Sequence, residues 1–333
     1  MHGDLRFLTA VPRMDAPGQA VGAALDVIRW SDAADVDGIL LFTGAGAVLD
    51  PWVGAAAITA GSRRLTPMIA LNPLYTHPFA AARSLLSIAE VYGRSVDLNL
   101  ITGAALNELA AIGDHLDHGD RYARLQEYVE IFLQLLDGKP VTRNGRFYQA
   151  TRLQLSPRLS AELRPRLYLA GASDDARRTA RELGATLMGM LPPTIEGVLD
   201  GLGAVHLGVL ARKDAAEAEE VAGRRFPDDP RGRRWLELSL RNTDSVWRRD
   251  LAQAEEASSG KTYRLDPFKS FKADAPYLIG DYETVARHIA DLAEAGVHTF
   301  VCDTAMAEEE FEHLAAVIER VRLLVAADKR QAL

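Results

Sequence analysis

The feature that most constrains the fold is a regular alternation of short apolar runs with longer segments of helical periodicity. The short runs have the length of buried strands, whereas the longer segments repeat apolar residues every three or four positions. The candidate strands are residues 5–11, 38–42, 66–71, 96–100, 166–169, 185–189, 204–211 and 299–302. Strands that alternate with helices predict an α/β fold built on a parallel sheet.

The candidate helices lie between these strands and after the last one. They are residues 19–34, 51–60, 78–92, 122–136, 173–183, 194–201, 215–223, 282–295 and 308–327. About eight strand–helix units predict a (β/α)₈ TIM barrel, and we expect one such domain over residues 1–333. A doubly wound sheet fits less well, because the first strand leaves through Val11-Pro12-Arg13-Met14 and not through a glycine-rich turn.

Two segments interrupt this rhythm. Residues 138–165 contain Asn144-Gly145, which predicts a small hairpin followed by a loop. Residues 224–276 form an insertion before the last strand–helix unit. It opens on a turn with two prolines and two aspartates, continues as one polar helical stretch over 231–257 and ends in a loop over 258–276. A loop of that length indicates a lid or a disordered segment.

Composition excludes several functional classes. The chain has a net charge of −8, which argues against non-specific binding to nucleic acid or anionic membranes. No apolar run reaches the roughly 18–20 residues that span a bilayer. Cys302 is the only cysteine, so an internal disulfide and a zinc site with two thiolates are excluded. The N-terminus lacks a signal-peptide pattern, and we expect a soluble cytoplasmic protein without a bound metal.

Polar residues at one strand end and at a later helix start indicate a phosphorylated cofactor. A short strand ends in Thr102-Gly103, and His118 and Tyr122 lie four residues apart at the mouth of a predicted helix, where they share a face. Helix starts and the ends of barrel strands both accommodate phosphate groups. An ordinary polar helix start, capped by Asp117 or Asp120, is the alternative.

A second candidate for phosphate binding follows a later strand. Tyr168-Leu169-Ala170 leads into the small residues Gly171 and Ala172, and Ser173 then opens a helix. Small residues let the backbone approach a ligand, and the amides of a helix N-terminus bind phosphate together with a serine hydroxyl. A simple strand–helix turn with a serine cap would leave the same pattern.

Taken together, these motifs resemble the bacterial luciferase-like flavin monooxygenases, and most closely the alkanesulfonate monooxygenase branch. The resembling residues are Asn99-Leu100-Ile101-Thr102-Gly103, Asn107-Glu108-Leu109, Leu116-Asp117-His118, Arg121-Tyr122, Leu136-Asp137-Gly138, Asn144-Gly145, Pro165, Leu167-Tyr168, Gly171-Ala172-Ser173-Asp174, Ile279-Gly280, Val285-Ala286 and Ala295-Gly296-Val297. The similarity covers nearly the whole chain apart from residues 224–275.

The resemblance implies a barrel that uses O₂ and reduced FMN (FMNH₂) supplied by a separate flavin reductase. It assigns the FMN phosphate site to His118 and Tyr122, together with the turn Gly171, Ala172 and Ser173. It also places Thr102 and Asn72 beside the flavin ring or its ribityl chain. In such an enzyme the cofactor carries most of the chemistry, and the protein provides orientation and a dry cavity.

Several positions depart from the pattern of the sulfonate-handling enzymes, and these departures bear on the substrate. The positions that hold a histidine, a cysteine, a tryptophan and a tyrosine in those enzymes correspond here to Val11, the Ala47/Val48 region, Gly189 and Ala305. The Arg-x-His motif aligns best with His206-Leu207-Gly208. The mobile-loop arginine has no clear counterpart, although Lys269 and Lys272 lie nearby. Since a buried sulfonate needs charged donors, we expect an organic substrate other than a simple alkanesulfonate.

His206 and Arg13 are the candidate catalytic residues. His206 is placed to act as an acid or base or to orient the substrate, and a strand histidine hydrogen-bonded inside the barrel is the alternative. Arg13 follows the first strand, where it could reach a substrate carboxylate or phosphate, and a solvated loop arginine is the alternative.

Two further functions stay open at this stage. One is a deazaflavin-dependent oxidoreductase that transfers hydride without O₂, and the other is a non-catalytic flavin-binding relative. The resemblance also implies a homo-oligomer, since barrel relatives of this kind often pair through helices that correspond to residues 51–60 and 78–92. Both helices are alanine-rich, which suits close packing, and the core of a monomer would show the same pattern.

Overall fold

The computed structural model describes residues 5–11, 17–44, 47, 49–194, 201–254 and 262–331. The strands are β1 (Arg6–Ala10), β2 (Gly38–Leu41), β3 (Thr66–Leu71), β4 (Asp97–Leu100), β5 (Val141–Asn144), β6 (Gln149–Leu153), β7 (Leu167–Ala170), β8 (Thr186–Met190), β9 (Leu202–Arg212), β10 (Tyr263–Arg264), β11 (Tyr277–Asp281) and β12 (Thr299–Asp303). The helices are α1 (Pro17–Ala33), α2 (Pro51–Gly61), α3 (Pro78–Tyr92), α4 (Leu106–Ala111), α5 (His118–Leu136), α6 (Asp174–Leu183), α7 (Ala215–Arg225), α8 (Pro230–Arg241), α9 (Val246–Gln253), α10 (Asp266–Lys269), α11 (Tyr282–Glu294) and α12 (Glu308–Gln331).

These elements form two compact units. One unit contains Met1–Ala10, Arg29–Gly38 and Met188–Leu333, and the other contains Val11–Ile28 and Ile39–Leu187. We call them the terminal unit and the central unit. Among the described residues, no helix combines the length and the apolar character that a bilayer crossing requires.

The central unit places its strand ends where a ligand site can be built. Strands β2, β3, β4 and β7 are neighbours in that order, and β4 runs parallel to β3 and β7. The register pairs Leu71 with Leu100 and Leu100 with Leu169. Parallel strands end at a common edge, so the residues that follow β3, β4 and β7 lie on the same side of this sheet.

The helices of the central unit start and end at conventional capping residues. Helix α3 begins with His77 as N-cap and Pro78 in its first turn, and it ends at Gly93, which has a left-handed φ of 63°. Helix α5 is capped by the Asp117 carboxylate, which accepts the amide of Asp120 at 2.7 Å. This cap starts α5 at His118, four residues earlier than the sequence pattern predicts.

The predicted hairpin is present in residues 138–165 and is held by one buried carboxylate. β5 pairs antiparallel with β6, and the Glu127 side chain of α5 accepts the backbone amides of Arg146, Phe147 and Tyr148 at 3.0, 2.7 and 2.9 Å. A Cβ atom on Gly145 would lie 1.8 Å from Glu127 Oε1. The glycine is therefore required by this close approach, in addition to its role in the turn.

The terminal unit has the strand order β10-β11-β9-β12-β1. β9 runs parallel to β11 and β12, and β12 runs parallel to β1. Strand β11 is not among the predicted strands. A helix was predicted from Tyr282, and no element was predicted for the apolar residues just before Tyr282. Periodicity cannot resolve so short a run. It forms a strand because the long β9 offers Gly208–Arg212 as a pairing partner.

The insertion differs from its predicted form. The single helix predicted over 231–257 is wrong, because α8 ends at Arg241 and α9 starts at Val246. Thr243 explains the break, since its hydroxyl accepts the Ser245 amide at 3.2 Å and its carbonyl accepts Arg249 at 2.6 Å. Residues 262–276 of the predicted loop contain β10 and α10, and most of the predicted helix 194–201 lies outside the described residues.

Candidate functional site

Helix α5 carries a histidine, an arginine and a tyrosine on one face of its first turns. His118, Arg121 and Tyr122 occupy positions i, i+3 and i+4, so their side chains are neighbours. The His118 and Tyr122 rings are tilted against each other with centroids 5.1 Å apart. The phenol is buried and the imidazole is half-buried, which leaves the imidazole accessible to a ligand.

The turn between β7 and α6 approaches this face of α5. Ser173 caps α6, and its Oγ atom accepts the Ala176 amide at 3.2 Å. A Cβ atom on Gly171 would lie 2.6 Å from the Ala176 Cβ and 2.9 Å from the Tyr122 hydroxyl. Ala172 lies between Gly171 and Ser173 and is half-buried. The absence of a side chain at Gly171 therefore allows the Tyr122 hydroxyl and the Ala176 methyl group to pack against this turn.

The side chains from these two elements converge with a third element, the end of β4. His118 Nε2 lies 3.1 Å from Ser173 Oγ, and the Tyr122 hydroxyl is hydrogen-bonded to Ser173 and to Thr102. Burial raises the pKa of Tyr122, and the two hydrogen bonds only partly offset that effect. The phenol is therefore neutral at physiological pH and can donate its proton to an acceptor. We call His118, Tyr122, Ser173, Thr102 and Gly171 the phosphate cradle, after the role that we propose for this cluster below.

Arg121 adds a fixed cation beside the phosphate cradle. Its guanidinium is 2% exposed, donates to the Leu116 carbonyl at 3.0 Å and lies 3.5 Å from His118 Nδ1. A guanidinium only donates, so this contact makes Nδ1 the acceptor and leaves the proton of a neutral imidazole on Nε2. The Nε2–H group then points towards Ser173. Arg121 is not among the predicted site residues, although its spacing of three residues from His118 is the signal that could have identified it.

Asn72 follows β3 and lies next to the backbone that follows β4. The Asn72 side chain is buried, and its Oδ1 atom accepts the Leu74 amide at 3.0 Å. Its Nδ2 atom would be 3.3 Å from a Cβ atom on Gly103, which has a φ of 80°. Deeper in the same sheet, the Oδ1 atom of Asn99 is buried without a hydrogen-bond partner among the described residues.

The structure describes one of the two candidate catalytic residues, His206. His206 lies on β9 in the terminal unit, with its Nε2 atom 2.9 Å from Oδ2 of Asp303 on β12. Register pairs His206 with Val301 and Gly208 with Asp303, so His206 and Asp303 share a face of the sheet. Sequence reasoning missed Asp303, because the two residues are far apart in the chain. Arg13 lies outside the described residues.

The two lysines near the expected mobile loop make contacts within the insertion. Lys269 donates to the Ala254 carbonyl at 2.6 Å, and Lys272 lies 3.4 Å from the Asp229 carboxylate. Both charges are therefore engaged by neighbouring segments of the insertion in this structure.

The phosphate cradle fits the phosphate end of a mononucleotide such as FMN. It combines an imidazole, a phenol and two hydroxyls with the N-terminus of α6 and the guanidinium of Arg121. These are hydrogen-bond donors that a phosphate monoester accepts. Gly171 lets the Tyr122 hydroxyl lie close to the backbone of this turn, which a Cβ atom at that position would prevent.

Comparison with known proteins places the chain in a family. A family model described as luciferase-like monooxygenase matches residues 1–197. The chain is 30% identical over 311 residues to the 4-(gamma-L-glutamylamino)butanoyl-[BtrI acyl-carrier protein] monooxygenase BtrO of Niallia circulans, covering 90% of this chain and 91% of BtrO.

Two solved structures share the fold at low sequence identity. The EDTA monooxygenase EmoA from Chelativorans sp. BNC1 matches with a TM-score of 0.74 and 15% identity over 98% of this chain and 95% of EmoA. The oxygenating constituent of 3,6-diketocamphane monooxygenase from Pseudomonas putida, a structure in complex with FMN, matches with a TM-score of 0.74 and 14% identity over 96% of this chain and 98% of its own.

These matches confirm the predicted TIM-barrel α/β fold. The family assignment rests on the match to the family model and on the sequence identity with BtrO. The chain therefore belongs to the luciferase-like monooxygenase family and is a flavin-dependent monooxygenase.

Proposed function

We propose that this protein is the oxygenase of a two-component system, which receives reduced FMN from a separate flavin reductase and uses O₂ to oxygenate an organic substrate. The observation that carries the proposal is the convergence of His118, Tyr122, Ser173 and Thr102 beside the backbone of Gly171. Three separate chain segments supply these groups, and a phosphorylated cofactor accounts for all of them.

In this proposal the phosphate cradle anchors the cofactor and thereby sets the position of its ring. The Nε2–H of His118, the Tyr122 hydroxyl and the Ser173 hydroxyl bind phosphate oxygens, and Arg121 supports His118 and contributes positive charge. Ala172 belongs to the same turn. Reduced flavin, when bound, supplies the electrons that activate O₂. Thr102 and Asn72 lie on the ribityl and ring side, at the ends of β4 and β3.

His206 is proposed as the acid–base or orienting residue for the substrate. The Asp303 carboxylate lies 2.9 Å from the imidazole Nε2 atom, and in this proposal it restrains the orientation of the ring. Arg13 remains a proposal for binding an anionic substrate group, made from the sequence alone.

The substrate class is proposed from two observations. We propose that the chain is most similar to the alkanesulfonate branch of the family. The positions that would bind a sulfonate nevertheless hold residues without charge, including Val11, Gly189 and Ala305, so a simple alkanesulfonate is disfavoured as the substrate. The relative BtrO is named for an acyl group carried on an acyl-carrier protein. We therefore propose an acyl substrate held as a thioester on a carrier protein.

The proposal of a homo-oligomer through α2 and α3 also stands. A second copy that packs on α2 and α3 would cover the exposed side chains of Val53 and Val91. Light scattering of the purified protein would test it.

Cofactor titration tests the proposed function most directly. Under anaerobic conditions the wild-type protein should bind reduced FMN more tightly than the reduced deazaflavin F420, and His118→Ala should weaken FMN binding. With a flavin reductase, NADH and O₂, a thioester substrate should increase oxygen uptake and give an oxygenated product. A preference for F420 would support the hydride-transfer alternative. Peroxide formation without product across a broad substrate panel would support a non-catalytic flavin-binding protein.

A further inference from the structure

Helix α8 in the insertion has one face that is packed and one that is not. On the packed face, Gly232 and Leu236 are buried, and a Cβ atom on Gly232 would lie 1.9 Å from the Ser270 carbonyl oxygen. The Asp229 carboxylate caps the helix by accepting the Arg231 amide at 2.9 Å. These contacts hold α8 against the segment that follows α10 and determine which of its side chains face outwards.

The opposite face combines basic and apolar side chains. Trp235 is 60% exposed and Leu238 is 45% exposed, and exposed arginines flank them. At 100° per residue these side chains fall within an arc of about 120° on the helix. We call this surface the α8 face: Arg231, Arg234, Trp235, Leu238 and Arg241. Glu237 lies outside the arc.

The arginines of the α8 face differ from neighbouring arginines in having no internal partner. Within the part of the chain that the structure describes, no ion pair or hydrogen bond joins the guanidinium of Arg231, Arg234 or Arg241 to another residue. Elsewhere in the insertion, Arg233 pairs with Asp228 at 2.7 Å and Arg248 pairs with Asp274 at 3.4 Å. Three unpaired cations therefore surround an exposed tryptophan in a chain with a net charge of −8.

Tryptophan and arginine are the residues that contribute most to protein–protein binding energy, and unpaired surface charges steer an oppositely charged partner. α8 is about 18 Å long, which matches one helix of a small protein. A second copy of this chain would bring the same cations against this face, which disfavours self-association through it. The surface fits the acidic side of a small helical protein.

We propose that the α8 face docks the acidic carrier protein that delivers the thioester substrate. This inference rests on the proposed function, because it takes the carrier-bound acyl group as the substrate. In the complex, carboxylates of the carrier pair with the three arginines, and an apolar side chain of the carrier covers Trp235 and Leu238. The contact restrains the carrier so that its tethered acyl group is presented repeatedly to the enzyme, which raises its effective concentration.

The test uses the holo form of the BtrI acyl-carrier protein, labelled with a fluorophore, and the full-length enzyme. Binding is measured by fluorescence anisotropy for the wild type and for the triple variant Arg231→Ala, Arg234→Ala, Arg241→Ala. The matched control removes three exposed arginines from other surfaces: Arg63→Ala, Arg158→Ala, Arg287→Ala. We expect the α8-face variant to weaken binding at least about tenfold, and the control to weaken it less than about twofold.

Turnover separates failure of the docking surface from failure of the substrate class. One acyl group, the 4-(gamma-L-glutamylamino)butanoyl group, is supplied either on the carrier or on free pantetheine. Flavin reductase and reduced FMN are present in both assays. The α8-face variant should lose activity towards the carrier-bound form and keep wild-type activity towards the pantetheine form.

Three other outcomes would overturn the inference. If the wild type binds the carrier and the variant binds it equally well, the docking surface is wrong and the proposed substrate class stands. If the wild type neither binds the carrier nor prefers the carrier-bound thioester, the substrate class fails together with the docking surface, while FMN binding in the same samples tests the monooxygenase proposal separately. A change of oligomeric state in the α8-face variant, measured by light scattering, would instead identify the face as a contact between copies.

Discussion

His118 Nε2 lies 3.1 Å from Ser173 Oγ, although the two residues are 55 positions apart in the chain. The contact joins the start of α5 to the start of α6 and brings an imidazole nitrogen and a hydroxyl within hydrogen-bond distance of each other. Two helix starts that meet in this way concentrate hydrogen-bond donors at one point, which is the requirement for binding a phosphate group.

A side chain at position 171 should weaken cofactor binding. In Gly171→Ala the new Cβ atom would contact the Tyr122 hydroxyl and the Ala176 methyl group, which costs about 1–3 kcal/mol of strain and displaces the phenol. Anaerobic titration should show a dissociation constant for reduced FMN raised about 5- to 100-fold. Gly223→Ala is the matched control, because a Cβ atom there meets nothing within 4 Å. Equal FMN affinity in both variants would remove Gly171 from the site.

Losing the Glu127 carboxylate should loosen the hairpin and lower global stability. Glu127→Gln cannot accept all three backbone amides and also pair with Arg143, so we expect a loss of about 2–4 kcal/mol in the free energy of unfolding. The half-exposed Glu130 also pairs with Arg143, and Glu130→Gln should cost less than about 1 kcal/mol. Urea unfolding followed by circular dichroism compares the two variants. Matching midpoints would show that the Glu127 contacts contribute no more than a surface ion pair.

Stability should fall in acid because of a buried carboxylate between two arginines. Arg212 and Arg225 approach Glu310 Oε1 at 2.5 and 2.6 Å. Burial opposes ionisation of Glu310, but the hydrogen bonds and charges of the two arginines outweigh it and lower its pKa. A carboxyl whose pKa is lower in the folded state stabilises the fold fully above its unfolded pKa of about 4.5, and this stabilisation is lost as the pH falls below that value.

The variant Glu310→Gln isolates this contribution. It removes the charge that balances the buried Arg212 and the half-buried Arg225, and we expect a loss of about 3–5 kcal/mol at pH 7. The difference from wild type should shrink as the pH falls from about 5 to 3, because the wild-type carboxyl becomes neutral as well. Glu309→Gln, on the exposed side of the same helix, serves as the control. A difference that stayed constant with pH would mean that lost packing, and not charge, causes the effect.

The His206–Asp303 pair should affect turnover without affecting cofactor affinity. His206→Asn is expected to lower kcat about 100-fold if the imidazole transfers a proton, and Asp303→Asn should lower it less because the ring remains. Neither variant changes a residue of the phosphate cradle, so the Kd for reduced FMN should match wild type. His288→Gln on α11 is the control. Unchanged kcat in His206→Asn would assign the pair a structural role.

Much of the framework was predictable because it depends on local patterns. The eight predicted parallel strands are present with ends displaced by at most two residues, since short apolar runs bounded by turn residues have few alternatives. The hairpin at Asn144-Gly145 was confirmed for the same reason. The break between α8 and α9 was missed although its cause is local, because Thr243 and Ser245 compete with helical hydrogen bonds inside a polar stretch that otherwise favours helix.

The sequence by itself determined which residues end strands and start helices, and therefore that Thr102, His118 and Ser173 would sit at element boundaries. Only the tertiary structure decided which of these boundaries meet, because contacts between residues tens of positions apart depend on the packing of whole elements. Arg121 beside His118 Nδ1, Asp303 beside His206 Nε2 and the outward direction of the α8 face all follow from that packing. The physical reason is that periodicity records which face of an element is buried, whereas the partner that buries it is chosen by the fold as a whole.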